Sequence, residues 1–205
     1  MIETMNKRQL LKTLAWTGVA AVAGVQLAAC SEAKPSFHAV DITGADYARD
    51  FSLTDADGKT RTLADFKGKA VVLFFGYAQC PDVCPTTMSE MAQVKQQLGA
   101  NGDKLQVLFV TVDPARDTPE VMKAYMGAFD PSFVALIPTP EQLAALAKDF
   151  KVYFKKVDGK TPTSYSMDHS AASFVYDPQG RLRLYARYGA GVAPMVADLQ
   201  ALLKS

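Results

Sequence analysis

The sequence has almost no net charge and few residues that bind metals or form disulfides. Its 205 residues include 22 lysines and arginines against 21 aspartates and glutamates, so the formal net charge is +1. A nucleic-acid-binding protein needs a strongly basic face, and this balance argues against one. With three cysteines and two histidines, the chain also lacks the cysteine content of a secreted scaffold stapled by several disulfides.

Proline and glycine are not abundant either. The chain has 11 prolines and 13 glycines, which excludes a collagen-like or low-complexity protein. Hydrophobic residues make up 49% and charged residues 21%, and these are the values of an ordinary globular protein with a packed core. The length fits one such domain and does not fit two large ones.

The N-terminal residues have the organisation of an export signal. Lys7, Arg8 and Lys12 precede an apolar stretch from Leu14 to Ala29. This stretch of about 16 residues is shorter than the roughly 20 that a membrane-spanning helix needs. Basic residues followed by a short apolar stretch are typical of a signal peptide, so we predict one over residues 1–29. The alternative that stays open is an uncleaved membrane anchor.

The end of this stretch, Leu27-Ala28-Ala29-Cys30, resembles the lipobox of bacterial lipoproteins. The resemblance implies that Cys30 becomes the lipid-modified N-terminus and tethers the protein on the periplasmic side of a bacterial membrane. Ser31 follows the cysteine, and by analogy this favours the outer membrane, although the choice of membrane stays open. Residues 30–44 are predominantly polar, which predicts a flexible linker.

Residues 45–205 predict one α/β domain. Strands are expected in a hairpin at 51–63 and at 70–77, 105–112, 172–176 and 182–188, and helices at 85–98, 119–129, 140–150 and 192–203. The alternating strands and helices predict a mostly parallel core. The late pair of strands adds antiparallel pairing. The expected architecture is therefore a mixed central sheet with helices on both faces and an N-terminal β-hairpin.

Two cysteines lie where the first long strand meets a helix. Cys80 and Cys84 occur in the segment Cys-Pro-Asp-Val-Cys-Pro, directly after the apolar stretch Ala70–Tyr77. Amide groups and the helix dipole at a helix N-terminus favour a thiolate, which lowers a cysteine pKa from about 8.5 to between roughly 3.5 and 7.5. The spacing also allows a disulfide. The pair therefore predicts a redox nucleophile, a soft-metal ligand pair or a small structural disulfide.

A metal held by two thiolates needs a further ligand from elsewhere in the chain. His38 lies in the predicted linker, whereas His169 lies just before a predicted strand, after the polar residues 158–164. Two sulfurs and one imidazole suit copper in either valence, and zinc also accepts such ligands. Asp168 and Asp113 are candidates to support these ligands, although either could simply cap a turn.

Three segments resemble the Sco/SenC family of thioredoxin-fold copper proteins. They are KGKAVVLFFGYAQCPDVCPTT at 67–87, TVDPARDTP at 111–119 and SYSMDHS at 164–170. The resemblance implies a thioredoxin-like fold and places the metal ligands at Cys80, Cys84 and His169 and the aspartate of the second motif at Asp113. It further implies a membrane-tethered copper carrier that receives copper from a periplasmic donor and delivers it to the binuclear copper centre of cytochrome c oxidase, in subunit II.

Three functions stay open at this point. A copper carrier would require Cys80, Cys84 and His169 and no catalytic turnover. A periplasmic thiol:disulfide oxidoreductase would require only the redox-active cysteine pair, one thiolate attacking a partner disulfide and the other resolving the mixed disulfide. A thiol peroxidase, which we rank last, would need an activated thiolate and a resolving cysteine.

Overall fold

The computed structural model describes residues 36–161 and 164–204. The predicted signal peptide and the predicted lipidation site Cys30 lie outside these residues. Within this part of the chain, no helix combines the length and the apolar character that crossing a membrane requires.

Strands in the described residues form one six-stranded sheet and two small hairpins. They are β1 (Val40–Asp41), β2 (Leu53–Thr54), β3 (Thr60–Arg61), β4 (Ala70–Gly76), β5 (Leu105–Thr111), β6 (Val134–Leu136), β7 (Phe154–Asp158), β8 (Tyr165–His169), β9 (Ala172–Tyr176) and β10 (Leu182–Arg187). The large sheet has the order β1-β10-β9-β4-β5-β6, while β2 pairs with β3 and β7 with β8.

The two central strands form the buried middle of the sheet. β4 and β5 are parallel, with Ala70 opposite Leu105 and Gly76 opposite Thr111, and every residue of both strands is buried. Continuous apolar strands of this kind are expected where a sheet is covered on both faces. β9 pairs antiparallel with β4, so the sheet is mixed as the sequence predicts.

Four α-helices accompany the sheet in the described residues. They are α1 (Val83–Gln97), α2 (Pro119–Gly127), α3 (Pro140–Phe150) and α4 (Val192–Lys204). Two short 3-10 helices cover Leu63–Phe66 and Gly99–Lys104. The Thr118 and Thr139 hydroxyls accept the N–H groups of Val121 and Gln142, the N-capping predicted from the two Thr-Pro pairs.

Three strand segments differ from the sequence prediction. β7 and β8 flank the predicted polar loop at 158–164 and form a hairpin for which the sequence predicts no strands, and β6 is also not predicted. β1 lies inside the predicted linker, where it pairs with β10. The His38 and Ala39 N–H groups just before it donate to the buried Asp198 carboxylate at 2.8 Å. These strands are short and partly exposed, so their pairing depends on distant partners and leaves little local signal.

Candidate metal centre

The cysteine pair lies at the carboxyl end of β4 and in the first turn of α1. Cys80 is half-buried and Cys84 is fully buried, and both thiols are free. The Cys80 N–H donates to the Tyr77 carbonyl oxygen at 3.2 Å, and the Cys84 N–H donates to Cys80 Sγ at 3.4 Å. Pro85 is tolerated here because the first N–H groups of a helix have no intrahelical partner. The turn thus points the Cys84 N–H at Cys80 Sγ, the more exposed of the two sulfurs.

Gly76 makes room for the inner sulfur. A Cβ at this position would lie 2.9 Å from Cys84 Sγ and 2.7 Å from Phe109 Cζ. These distances are much shorter than an ordinary van der Waals contact. The last residue of β4 therefore has to lack a side chain for Cys84 to pack against the end of the strand.

The β7–β8 hairpin brings the histidine to the cysteines. Cross-strand pairing sets Phe154 opposite His169, and His169 Nε2 lies 3.4 Å from Cys84 Sγ. Nδ1 lies 3.0 Å from the Ser170 carbonyl oxygen. Because a carbonyl oxygen can only accept, Nδ1 donates to it, and this bond orients the ring so that Nε2 faces the sulfurs.

The ring of His169 is held from the side by two aromatic residues. Phe74 and Tyr77 contact it edge to face, with centroid separations of 6.0 and 5.9 Å. This packing limits rotation of the imidazole, as supporting residues do at metal-binding histidines.

Cys80, Cys84 and His169 form one cluster. One ligand atom of each residue lies within 4.8 Å of the others. The cluster borders a cavity of about 320 Å³ that Tyr77 and Met167 also line. The structure therefore brings together the three residues that the sequence singles out as possible ligands. His38 is exposed and lies outside this group.

The two thiols differ strongly in acidity. A hydrogen bond from the Cys84 thiol, helped by one from His169, lowers the pKa of Cys80 from 9.0 to about 4. That same hydrogen bond, together with burial, raises the pKa of Cys84 far above its ordinary value. At neutral pH the reduced pair is therefore a Cys80 thiolate beside a Cys84 thiol, so one strong ligand or nucleophile is already formed.

An arginine connects the segments around the cluster. Arg116 forms an ion pair with Asp113, and its Nη1 donates to Gln79 Oε1 at 3.0 Å and to the Tyr165 carbonyl oxygen at 2.9 Å. Its guanidinium lies 3.5 Å from the Tyr165 ring centroid. The loop before Cys80, the loop after β5 and the start of β8 are thereby joined through one side chain.

The two candidate supporting aspartates occupy different surroundings. Asp113 is buried, pairs with Arg116 and accepts from the Tyr165 hydroxyl at 2.9 Å. By accepting this hydrogen bond from Tyr165, Asp113 helps to hold the β7–β8 hairpin that carries His169. Asp168 is exposed and, by strand alternation, lies on the opposite face of β8 from His169.

Arg116, Gly76 and the buried Asp117 contribute to the site but are not among the residues predicted from the sequence. Asp117 accepts the Ala78 N–H at 3.1 Å and the Thr111 hydroxyl, so it holds the loop between β4 and the cysteines. Burial raises the pKa of this carboxyl. The motif at 111–119 contains both Arg116 and Asp117, and two charged residues just after a buried strand are the signal that could have identified them.

Known proteins are similar to this chain over most of its described residues. The SCO1/SenC family model matches residues 40–204. The chain is 39% identical over 133 residues to the mitochondrial protein SCO2 of Saccharomyces cerevisiae, a match that covers 64% of this chain and 44% of the relative. It thus spans less than half of that relative's length.

Two solved structures with copper bound are similar to the fold. ScoI of Bradyrhizobium japonicum with copper bound is 39% identical, with a TM-score of 0.68 over 75% of this chain and 97% of that one. Yeast Sco1 with copper bound is 30% identical, with a TM-score of 0.69 over 83% of this chain and 90% of that one.

Proposed function

The chain belongs to the SCO1/SenC family, and from that membership and the cluster geometry we propose that it binds one copper ion and passes it to a copper-receiving protein. The ligands are Cys80 Sγ, Cys84 Sγ and His169 Nε2. The observation that carries the proposal is the separation of at most 4.8 Å among these atoms, because it lets all three reach one ion with small side-chain movements. Two relatives with copper bound in their structures support the choice of metal.

The donor set matches copper chemically. Thiolate and imidazole ligands suit Cu(I) and are acceptable to Cu(II), whereas magnesium or calcium would require oxygen ligands. Cys80 offers a thiolate at neutral pH. Cys84 has to lose its proton when the metal binds, so uptake releases about one proton per copper ion.

The different burial of the ligands provides a route for transfer. Cys80 is half-buried and borders the open cavity, whereas Cys84 is fully buried. An incoming thiolate of a recipient protein can therefore reach the ion from the Cys80 side while Cys84 and His169 still hold it. Copper then leaves by stepwise ligand exchange, with no electron transferred and no covalent bond formed between the proteins.

For the recipient we propose the binuclear copper centre of cytochrome c oxidase, in subunit II, with a periplasmic protein as the copper donor. Family membership supports this assignment, since the Sco family is linked to assembly of that oxidase. We also propose that Cys30 is lipid-modified and tethers the protein on the periplasmic side of a bacterial membrane. The lipobox-like residues 27–30 support this location.

Copper titration of the reduced full-length chain tests the binding proposal. We expect one equivalent of Cu(II) to produce thiolate-to-copper charge-transfer absorption. We expect His169→Ala to lose tight binding while Cys80 and Cys84 still form and break their disulfide reversibly. His38→Ala is the matched control and should bind as the unchanged protein does. Tight copper retention by His169→Ala would overturn the three-ligand site.

A second function is favoured by the contrast between the two thiols. In a thiol:disulfide oxidoreductase, the Cys80 thiolate attacks a partner disulfide, forms a mixed disulfide and releases one partner thiolate. Cys84 then loses its proton and attacks Cys80 Sγ, which releases the second partner thiolate and leaves a Cys80–Cys84 disulfide after a two-electron transfer. This reaction does not need His169, so reductase activity retained by His169→Ala without copper binding would favour it.

A further inference from the structure

The cavity beside the cysteines contains one more soft donor. Met167 lies on β8 two residues before His169, and successive strand side chains alternate between faces, so the two residues share a face. Met167 is 9% exposed, whereas its neighbours Ser166 and Asp168 are exposed. Met167 lines the same cavity as Cys80 and His169. The hairpin that delivers the imidazole therefore delivers a thioether beside it.

We propose that Met167 Sδ is an additional copper ligand that makes the site selective for Cu(I). This inference rests on the proposed copper binding by Cys80, Cys84 and His169. A thioether is a soft, neutral donor. Soft sulfur ligands favour Cu(I) over Cu(II), and a thioether adds no negative charge that would help to hold a divalent ion such as zinc. Methionine also has three rotatable bonds, so its sulfur reaches the ion by a rotamer change while β8 stays in place.

The other donors near the site are poorly suited to this role. Asp113 is engaged by Arg116 and by the Tyr165 hydroxyl. Asp82 and Asp168 also line the cavity, but both are exposed to solvent, and Asp168 lies on the opposite face of β8 from His169. A carboxylate would also bring a further negative charge to two thiolates, and charge is costly away from water. Met88, four residues after Cys84 on α1, is fully buried and does not line the cavity. Met167 is thus the neutral sulfur at the cavity wall.

Met167→Leu removes the thioether sulfur but keeps a side chain of similar volume. The variant therefore distinguishes a role of Met167 in binding the metal from a role in packing. The matched control is Met122→Leu, since Met122 is a buried methionine too but lies on α2 and lines a different cavity. The assay is competition of the reduced full-length chain with a chromophoric Cu(I) chelator, followed by separate titrations with Cu(II) and zinc. Met167→Leu should weaken Cu(I) binding at least about tenfold and change Cu(II) and zinc binding less than about twofold.

X-ray absorption at the copper edge provides a readout that packing alone would not change. Selenomethionine replaces every methionine sulfur without a mutation, so copper in the labelled protein should show a selenium neighbour, and Met167→Leu should remove it while Met122→Leu keeps it. A labelled protein that binds Cu(I) without a selenium neighbour would overturn the inference even if Met167→Leu did not fold. If the unchanged protein binds no copper, the proposed function itself fails. If it binds copper and Met167→Leu binds Cu(I) equally well, only the methionine ligand is refuted.

Discussion

Replacing Cys84 with alanine is expected to raise the pKa of Cys80, because the Cys84 thiol provides the strongest stabilisation of the Cys80 thiolate. In the unchanged protein the Cys80 pKa falls from 9.0 to about 4. At pH 7 this gives about a thousandfold excess of thiolate over thiol, whereas an ordinary cysteine is mostly protonated. The thiolate population rises as pH rises through the midpoint, so reactivity at Cys80 should be constant above about pH 6.

In Cys84→Ala the hydrogen bond from the thiol is lost, and two opposing sets of effects on the pKa of Cys80 remain. Burial still opposes the thiolate, while His169 and the backbone N–H groups of Asp82 and Cys84 still favour it. Because the largest favourable contribution is gone, we expect the midpoint to rise by at least about two pH units. Cys84→Ser is the matched control, since its hydroxyl can donate in place of the thiol, and it should keep most of the lowered pKa.

The assay is the rate of alkylation of Cys80 measured against pH, with thiolate absorbance as an independent record. Both should follow one titration with a midpoint near 4 in the reduced, metal-free protein. In the unchanged protein, Cys84 should resist alkylation over the same range because it is buried and protonated. A Cys84→Ala midpoint within half a unit of the unchanged protein, or an unchanged-protein midpoint near 9.0, would refute the hydrogen-bonding account.

Three further predictions concern the surroundings of the site. Gly76→Ala should lower the free energy of unfolding by about 1–3 kcal/mol in chemical denaturation. It should also weaken copper binding, because its Cβ would displace Cys84 Sγ. In the control Gly127→Ala no atom lies within 4 Å of the added Cβ, and this variant should show neither effect. Arg116→Lys should speed amide hydrogen exchange across β8, since lysine cannot stack on Tyr165 and bond several partners at once, and unchanged exchange would refute this role. Oxidation of the two thiols to a disulfide should abolish Cu(I) uptake, and full uptake by the oxidised protein would place the site elsewhere.

The parts of the fold that the sequence predicts well are those with strong local signals. The apolar stretches at 70–77 and 105–112 correspond to β4 and β5, and α3 begins at Pro140 and ends at Phe150 as predicted. The β7–β8 hairpin has no such local signal, because β7 carries two adjacent lysines and is mostly exposed. Its pairing is decided by its contact with the domain and by cross-strand partners, which a local pattern does not reveal.

The residues of the site also differ in whether a local sequence signal predicts them. Cys80 and Cys84 are recognisable from their place between a buried strand and a helix, and the motif at 164–170 identifies His169 by resemblance. The roles of Gly76, Arg116 and Met167 depend on which segments meet in space. In the sequence Gly76 is only the end of a predicted strand, and its role follows from the position of Cys84 Sγ beside it. Met167 reaches the cavity because it lies on β8, which pairs with β7.

Pulsed electron paramagnetic resonance of the Cu(II) form most directly tests whether one ion is held by two sulfurs and a distant imidazole. In protein with ¹⁵N-labelled histidine, we expect the coupling of one directly bound imidazole nitrogen, present in the unchanged protein and in His38→Ala and absent in His169→Ala. Histidine coupling that persists in His169→Ala, or its absence from the unchanged protein with copper bound, would contradict the account.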